Sequence, residues 1–135
     1  MKTKSLICLD VGEKRIGVAV ADPSIRIAVP FETVLVDGNE IEAIGEIVIR
    51  EGAETIVVGY PRNQSGEATA QTNYVELFAE RLAPLEVTVV FQDESLTSVL
   101  AEEQLKSYKK PYTKADIDAQ AAAIILEDYM EQHRG

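Results

Sequence analysis

The segment Leu6-Ile7-Cys8-Leu9-Asp10-Val11-Gly12 places one carboxylate in a run of residues that otherwise has the character of a buried strand. Residues 15–21 have the alternation of a second strand, so the short link between the two runs predicts a hairpin. An ionised carboxylate costs several kcal/mol to bury alone. We therefore expect Asp10 either to hydrogen-bond to its own turn or to bind a cation.

The remaining sequence predicts three more strands and four helices. A third strand is expected over 28–36, and Thr55-Ile56-Val57-Val58-Gly59 and Val87-Thr88-Val89-Val90-Phe91 are apolar runs typical of parallel strands. Helical periodicity precedes Gly52 and Pro84, and helices are also expected over 97–107 and 115–132. The order βββαβαβαα predicts an α/β fold with a mixed five-stranded sheet, three antiparallel strands then two parallel, flanked by helices.

Length and composition indicate one domain, residues 1–135, since 46% of the residues are hydrophobic and no repeat divides the chain. The apolar run behind the basic N-terminus stops at Asp10, too soon for a signal peptide or a membrane span. We expect a cytoplasmic protein without a membrane partner. The single cysteine, Cys8, excludes an internal disulfide and a cysteine-based zinc site.

The charge distribution leaves nucleic acid open as a partner. A net charge of −10 argues against phosphate binding, because that affinity comes largely from lysine and arginine. However, residues 104–114 contain no acid, and they hold four lysines with Tyr108 and Tyr112 between them. These lysines are Lys106, Lys109, Lys110 and Lys114. A basic nucleic-acid surface and an ordinary solvated charge run are both compatible with this pattern.

Acidic residues follow the fifth strand and open the last helix. Asp93 and Glu94 come at the carboxyl end of a strand, where open α/β sheets form their ligand crevices, although Asp93 could instead help to start the next helix. Asp116 is explained by a capping box with Thr113. Asp118 lies beyond that cap and aligns with the apolar face of the helix, which favours a functional role over a solvated first-turn carboxylate.

Three carboxylates, Asp10, Glu94 and Asp118, are therefore expected to meet at one edge of the sheet. A set of hard oxygen ligands, with His133 as the only histidine, favours Mg²⁺ or Mn²⁺ over zinc. A two-metal site of this kind suits phosphodiester hydrolysis by water. The second choices for metal ligands are Asp93 and Asp116.

Four segments resemble the YqgF/RuvX family over nearly the whole chain: 9–20, 57–61, 93–97 and 118–123. The resemblance implies a ribonuclease H-like fold related to Holliday junction resolvases, and a nuclease that matures the 5′ end of precursor 16S ribosomal RNA. It places the family's catalytic acids at Asp10, Glu94 and Asp118. The family usually has an arginine after the Asp-Glu pair, where this chain has Ser95.

Several polar residues are candidates for nucleic-acid binding. Lys14 and Arg15 follow the Gly12 turn and are expected to neutralise a phosphate near the scissile bond. Lys14, Arg15 or Arg62 could replace the missing family arginine, and Asn63 could hydrogen-bond to the backbone. The four lysines complete this set, with the two tyrosines as candidate base-stacking or packing residues. The expected partner is structured or single-stranded RNA, or branched DNA, bound by a monomer or homodimer.

Two other functions compete with the nuclease. An Asp-Val-Gly turn between strands also opens the actin, Hsp70 and sugar-kinase folds, but those proteins close two domains around a nucleotide, and this chain has the length of one. The other alternative is a catalytically weak module of the same fold that binds nucleic acid or a ribosome precursor.

Overall fold

The computed structural model describes residues 5–22, 24–25, 27–61, 69–94 and 97–133, without the side chains of residues 94 and 97–99. The strands are β1 (Ser5–Val11), β2 (Arg15–Asp22), β3 (Ile27–Leu35), β4 (Ala53–Pro61) and β5 (Thr88–Glu94). The helices are α1 (Glu40–Glu51), α2 (Ala70–Glu80), α3 (Thr97–Ser107) and α4 (Lys114–Gln132), with one 3₁₀ turn at Ala83–Leu85. None of these helices combines the length and the apolar character needed to cross a membrane.

The five strands form one mixed sheet in the order β3-β2-β1-β4-β5. β1 and β2 are antiparallel, as are β2 and β3, whereas β4 runs parallel to both β1 and β5. This arrangement confirms the predicted sheet. β1 lies at its centre, with Asp10 next to the last residue of the strand.

The two faces of the sheet carry different helices because strand residues alternate in direction. Ile7, Leu9 and Val11 of β1 belong to the large core that also contains buried residues of α1 and α2. Cys8 instead packs with Ala122 and other buried residues of α4. Asp10 follows Cys8 by two residues, so it lies on the same face of the sheet, the face that α4 covers.

Several element ends differ from the sequence prediction, two of them by about three residues. β5 was expected to end at Phe91 but extends to Glu94, because its pairing with β4 continues through Tyr60 opposite Asp93 and Pro61 opposite Glu94. The helix expected to reach Pro84 ends at Glu80, and the 3₁₀ turn follows it. Asp93 and Glu94 are therefore strand residues.

The two edges of the sheet are unlike. β3, at one edge, carries Pro30 opposite Ala19, beside a shift in its register with β2. Proline has no backbone N–H and is typical of edge strands and bulges. β5, at the other edge, pairs with β4 alone among the described strands.

Candidate active site

The first turn of α4 lies directly on the strand beside Asp10. Asp10 pairs across the sheet with Gly17 of β2. A Cβ atom at Gly17 would overlap the carbonyl group of Asp118 and would lie 2.9 Å from the backbone nitrogen of Ala119. Because glycine has no side chain, the helix backbone can approach the sheet this closely. The contact brings the backbone of Asp118 to the neighbourhood of Asp10.

A hydrogen bond from β3 holds the same helix end. The Thr33 hydroxyl donates to the carbonyl oxygen of Ala115 at 2.7 Å. Thr33 pairs with Gly17 on the side away from Asp10, so three neighbouring strands lie under the start of α4. The position of Asp118 is therefore fixed by backbone contacts.

An ion pair joins two predicted site residues. Arg15 Nε donates to Asp118 Oδ2 at 2.7 Å, and the two side chains are 34% and 24% exposed. Arg15 precedes Gly17 by two residues on β2, so it shares the α4 face. At this exposure the pair stabilises the fold by about 1 kcal/mol or less. Arg15 was expected to bind phosphate, and in this structure it neutralises an expected metal ligand.

The end of β5 brings the second acid to the level of Asp10. Gln92 pairs with Gly59, and the preceding residue Val58 pairs with Leu9, so Gln92 and Asp10 lie at the same height, two strands or roughly 10 Å apart. Because strand positions alternate between the two faces of the sheet, position 94 lies on the same face as Gln92, and Asp93 lies on the opposite face. The side chain of Glu94 lies outside the described residues.

The predicted nucleic-acid-binding residues are only partly described. Lys14 is exposed in the turn before β2. Lys106 is in the last turn of α3, Lys109 and Lys110 lie in the connection to α4, and Lys114 begins α4, all exposed. Lys114 precedes Asp118 by one helical turn, so the lysine segment borders the site. Arg62, Asn63 and Ser95 lie outside the described residues.

The two tyrosines of the lysine segment differ. The Tyr112 hydroxyl donates to Glu102 at 2.9 Å, and this bond, helped by burial, raises the pKa of the tyrosine. Tyr112 thus packs against α3. Tyr108 is 56% exposed, which leaves its ring accessible for stacking.

The donor chemistry of the site fits a hard cation. Asp10 and Asp118 offer carboxylate oxygens, while His133 lies fifteen residues beyond Asp118, roughly 22 Å along α4. Asp116 is occupied elsewhere, since its carboxylate accepts the Thr113 backbone N–H at 2.8 Å in the predicted capping box. Among the described side chains, which exclude that of Glu94, no three potential ligands form a metal-binding group.

Sequence comparison identifies relatives along almost the full chain. The RuvX family model, described as Holliday junction resolvase, matches residues 4–132. A Chloroflexus aurantiacus protein named "Putative pre-16S rRNA nuclease" is 41% identical, over 99% of this chain and 91% of its own length. A Gloeobacter violaceus protein of the same name is 39% identical, over 99% of this chain and 90% of its own.

Two solved structures share the fold. Thermus thermophilus RuvC in complex with a Holliday junction substrate has a TM-score of 0.58 at 16% identity, covering 98% of this chain and 96% of its own. Fowlpox virus resolvase with Holliday junction DNA has a TM-score of 0.57 at 12% identity, covering 97% and 99%. These likenesses confirm the ribonuclease H-like fold. The family model over residues 4–132 and the relatives near 40% identity establish that this chain belongs to the RuvX (YqgF) family of nucleases.

Proposed function

We propose that this protein is a divalent-metal-dependent nuclease that hydrolyses a phosphodiester bond during maturation of the 5′ end of precursor 16S ribosomal RNA, in the cytoplasm. The observation that carries the proposal is the close approach of α4 to Gly17, which brings the Asp118 backbone beside the cross-strand partner of Asp10. The names of the relatives support the choice of RNA. Trimming one RNA end needs one active site, so a monomer suffices, whereas two coordinated cuts in a DNA junction would favour a homodimer.

Asp10, Glu94 and Asp118 would hold Mg²⁺ or Mn²⁺ in this proposal. Bound there, such ions supply an activated water and stabilise charge at the leaving oxygen. Asp10 contributes rigidity, because it lies on the central strand of the sheet. The alternation of β5 favours Glu94 over Asp93 as the second acid, because position 94 lies on the same face of the sheet as the buried Gln92 and Asp93 lies on the opposite face.

Arg15 would act in two successive contacts. In the structure its guanidinium group neutralises Asp118. When Asp118 binds a cation instead, the guanidinium group becomes available to a substrate phosphate, which it can bind through two parallel hydrogen bonds. Lys14 is exposed one residue earlier and would add charge at the same place.

The lysine segment would bind the nucleic-acid backbone on the other side of the site. Lys114 is one helical turn from Asp118, and the preceding lysines are exposed. Arg62 and Asn63 remain candidates for contacts at the end of β4. Such contacts make affinity strongly dependent on salt.

Cleavage of a labelled single-stranded RNA that resembles a ribosomal precursor end, with Mn²⁺ or Mg²⁺, tests the proposal. The wild type should cut, and Asp10→Asn should not, since the substitution removes the charge while nearly keeping the volume. Glu42→Gln, a matched loss of charge at an exposed position of α1, should cut normally. Retained cleavage by Asp10→Asn would refute the assignment. Cutting confined to a branched DNA would change the substrate, and no cutting by the wild type would favour a binding module.

A further inference from the structure

An open cavity of about 640 Å³ lies at the outer edge of the sheet, along β5. Three carboxylates from three elements line it: Glu76 of α2, Asp93 of β5 and Asp128 of α4. No lysine or arginine is among the described residues that line it. Burial raises the pKa of the Asp128 carboxyl, which has no cationic partner in the described part of the chain. The carboxylates of Glu76 and Asp128 therefore favour a positively charged occupant.

The side-chain oxygen of a buried amide in the cavity has no hydrogen-bond donor among the residues described. Gln92 is only 5% exposed and lines the cavity beside Asp93. Its side-chain nitrogen is 3.5 Å from the Asp93 carbonyl oxygen, the outer limit of a hydrogen bond, and its side-chain oxygen accepts none from the residues described. A buried acceptor without a donor costs roughly 1–3 kcal/mol. A ligand rich in N–H groups would remove that cost.

Two aromatic rings form one wall of the same cavity. Tyr60 and Phe91 pack edge to face with their centroids 5.0 Å apart, and the Tyr60 hydroxyl donates to Glu76 at 2.6 Å. Phe91 is nevertheless 44% exposed. The face of an aromatic ring attracts a guanidinium or ammonium group. Carboxylates and rings together are thus suited to an arginine or lysine side chain.

The strand beside the cavity can pair with a second chain. Among the described strands β5 pairs with β4 alone, so backbone N–H and C=O groups of its seven residues lie along an edge that no described strand covers. An extended peptide can add to such an edge through backbone hydrogen bonds, while pockets select its side chains.

We infer that β5 and its cavity bind an extended basic segment of a protein partner, whose arginine or lysine side chains reach Glu76 on one face of the sheet and Asp128 on the other. This inference goes beyond the proposed nuclease activity and does not depend on it. A nucleic-acid strand is the less suitable occupant, because its phosphates would approach three carboxylates. The partner would also bring positive charge to a chain whose own net charge is −10, close to the end of β5.

Fluorescence anisotropy tests the inference at physiological salt, with a labelled seven-residue peptide of arginine and threonine in which neighbouring arginines face both sides of an added strand. A peptide with citrulline in place of arginine keeps the shape and removes the charge. The arginine peptide should bind, and the citrulline peptide should bind at least about tenfold more weakly, since tenfold corresponds to ~1.4 kcal/mol and a charge-assisted hydrogen bond contributes at least as much. Equal binding of the two peptides would overturn the inference.

Two double variants distinguish binding of the peptide in the cavity from its general attraction to an acidic protein. Glu76→Gln with Asp128→Asn should weaken binding of the arginine peptide about tenfold or more. Glu42→Gln with Glu46→Gln removes the same charge from exposed positions of α1 and should change it less than about twofold. Equal losses in the two doubles would refute a specific site.

Amide chemical shifts locate the occupant. The arginine peptide should perturb residues 88–94, and perturbation confined to β3 would contradict the inference. A single-stranded RNA oligonucleotide that perturbs the cavity more than the peptide does would identify nucleic acid as the occupant and overturn the inference. Each of these measurements reports binding, so loss of the nuclease proposal would leave them unaffected.

Discussion

Substitution of Gly17 by alanine should separate α4 from the sheet and move Asp118 away from Asp10. The added methyl group would overlap the Asp118 carbonyl group and approach the Ala119 nitrogen to 2.9 Å, where ordinary van der Waals contact begins at 3.4 Å. Both obstacles are backbone atoms, so no side-chain rotation relieves them, and the first turn of the helix has to shift.

The expected cost lies at the upper end of the range for overpacking, about 3 kcal/mol. A domain of this size has roughly 5–15 kcal/mol of stability, so the variant should still fold, with its Tm lowered by roughly 10 °C. A displacement of about 1 Å in a catalytic group can reduce the rate by about 100-fold. We therefore expect cleavage to fall about 100-fold in a protein that remains folded at 25 °C.

Urea unfolding followed by circular dichroism measures the first effect, and cleavage of labelled RNA with Mn²⁺ measures the second. Gly45→Ala is the matched control, because its methyl group would meet only the tip of the Leu85 side chain, at 3.0 Å, inside α1. Alanine is favoured over glycine in a helix by up to about 1 kcal/mol, so this control should be no less stable than the wild type. A Gly17→Ala protein with wild-type stability and activity would show that the close approach of α4 does not exist.

Three further predictions concern charged groups. Arg15→Ala should raise the affinity for Mn²⁺ by up to about fivefold in calorimetry, because the guanidinium group competes with Mn²⁺ for the site and its ion pair contributes about 1 kcal/mol or less. The same substitution should weaken RNA binding. Weaker Mn²⁺ binding would contradict the competition. Glu40 is buried, and its own backbone N–H, the Arg81 guanidinium group and the Gly38 N–H lower its pKa. Its ionised form therefore stabilises the fold above the ordinary pKa of 4.5, and that stabilisation is lost as the pH falls through the lowered value. In urea titrations, Arg81→Ala should cost about 1 kcal/mol at pH 7 and progressively less in acid, and a cost that does not change with pH would exclude this pair as its source. Lys109→Glu with Lys110→Glu should weaken RNA binding and reduce its logarithmic salt slope by about 2, and an unchanged slope would remove these lysines from the interface.

Local patterns were enough to predict the sheet. Alternation and helical periodicity are properties of short segments, so the order of the elements and the Thr113–Asp116 capping box were predicted from sequence. The predicted end of β5 was wrong because pairing with β4, which is a contact with a distant segment, extends the strand to Glu94.

The candidate site was only partly predictable for the same reason. The acids Asp10 and Asp118 stand out as charges in apolar patterns, and the structure places them on the same face of the sheet. The ion pair of Arg15 with Asp118 joins residues 103 positions apart, which no local pattern reveals. Gly17 gave a usable signal, since a glycine inside a β-branched strand often marks a close backbone approach. The interpretation of Arg15 as a free phosphate ligand did not include this pairing.

Pro30 limits the addition of further strands to this sheet. Exposed apolar residues on β3, Ile27 and Val29 among them, would otherwise make that edge prone to aggregation. The proline removes a backbone donor there, while β5 has no comparable interruption within its seven residues. The β3 edge is therefore less receptive to an added strand than the β5 edge. If an extended chain pairs with β5 as inferred, this asymmetry favours a discrete complex over a fibre that grows from both edges.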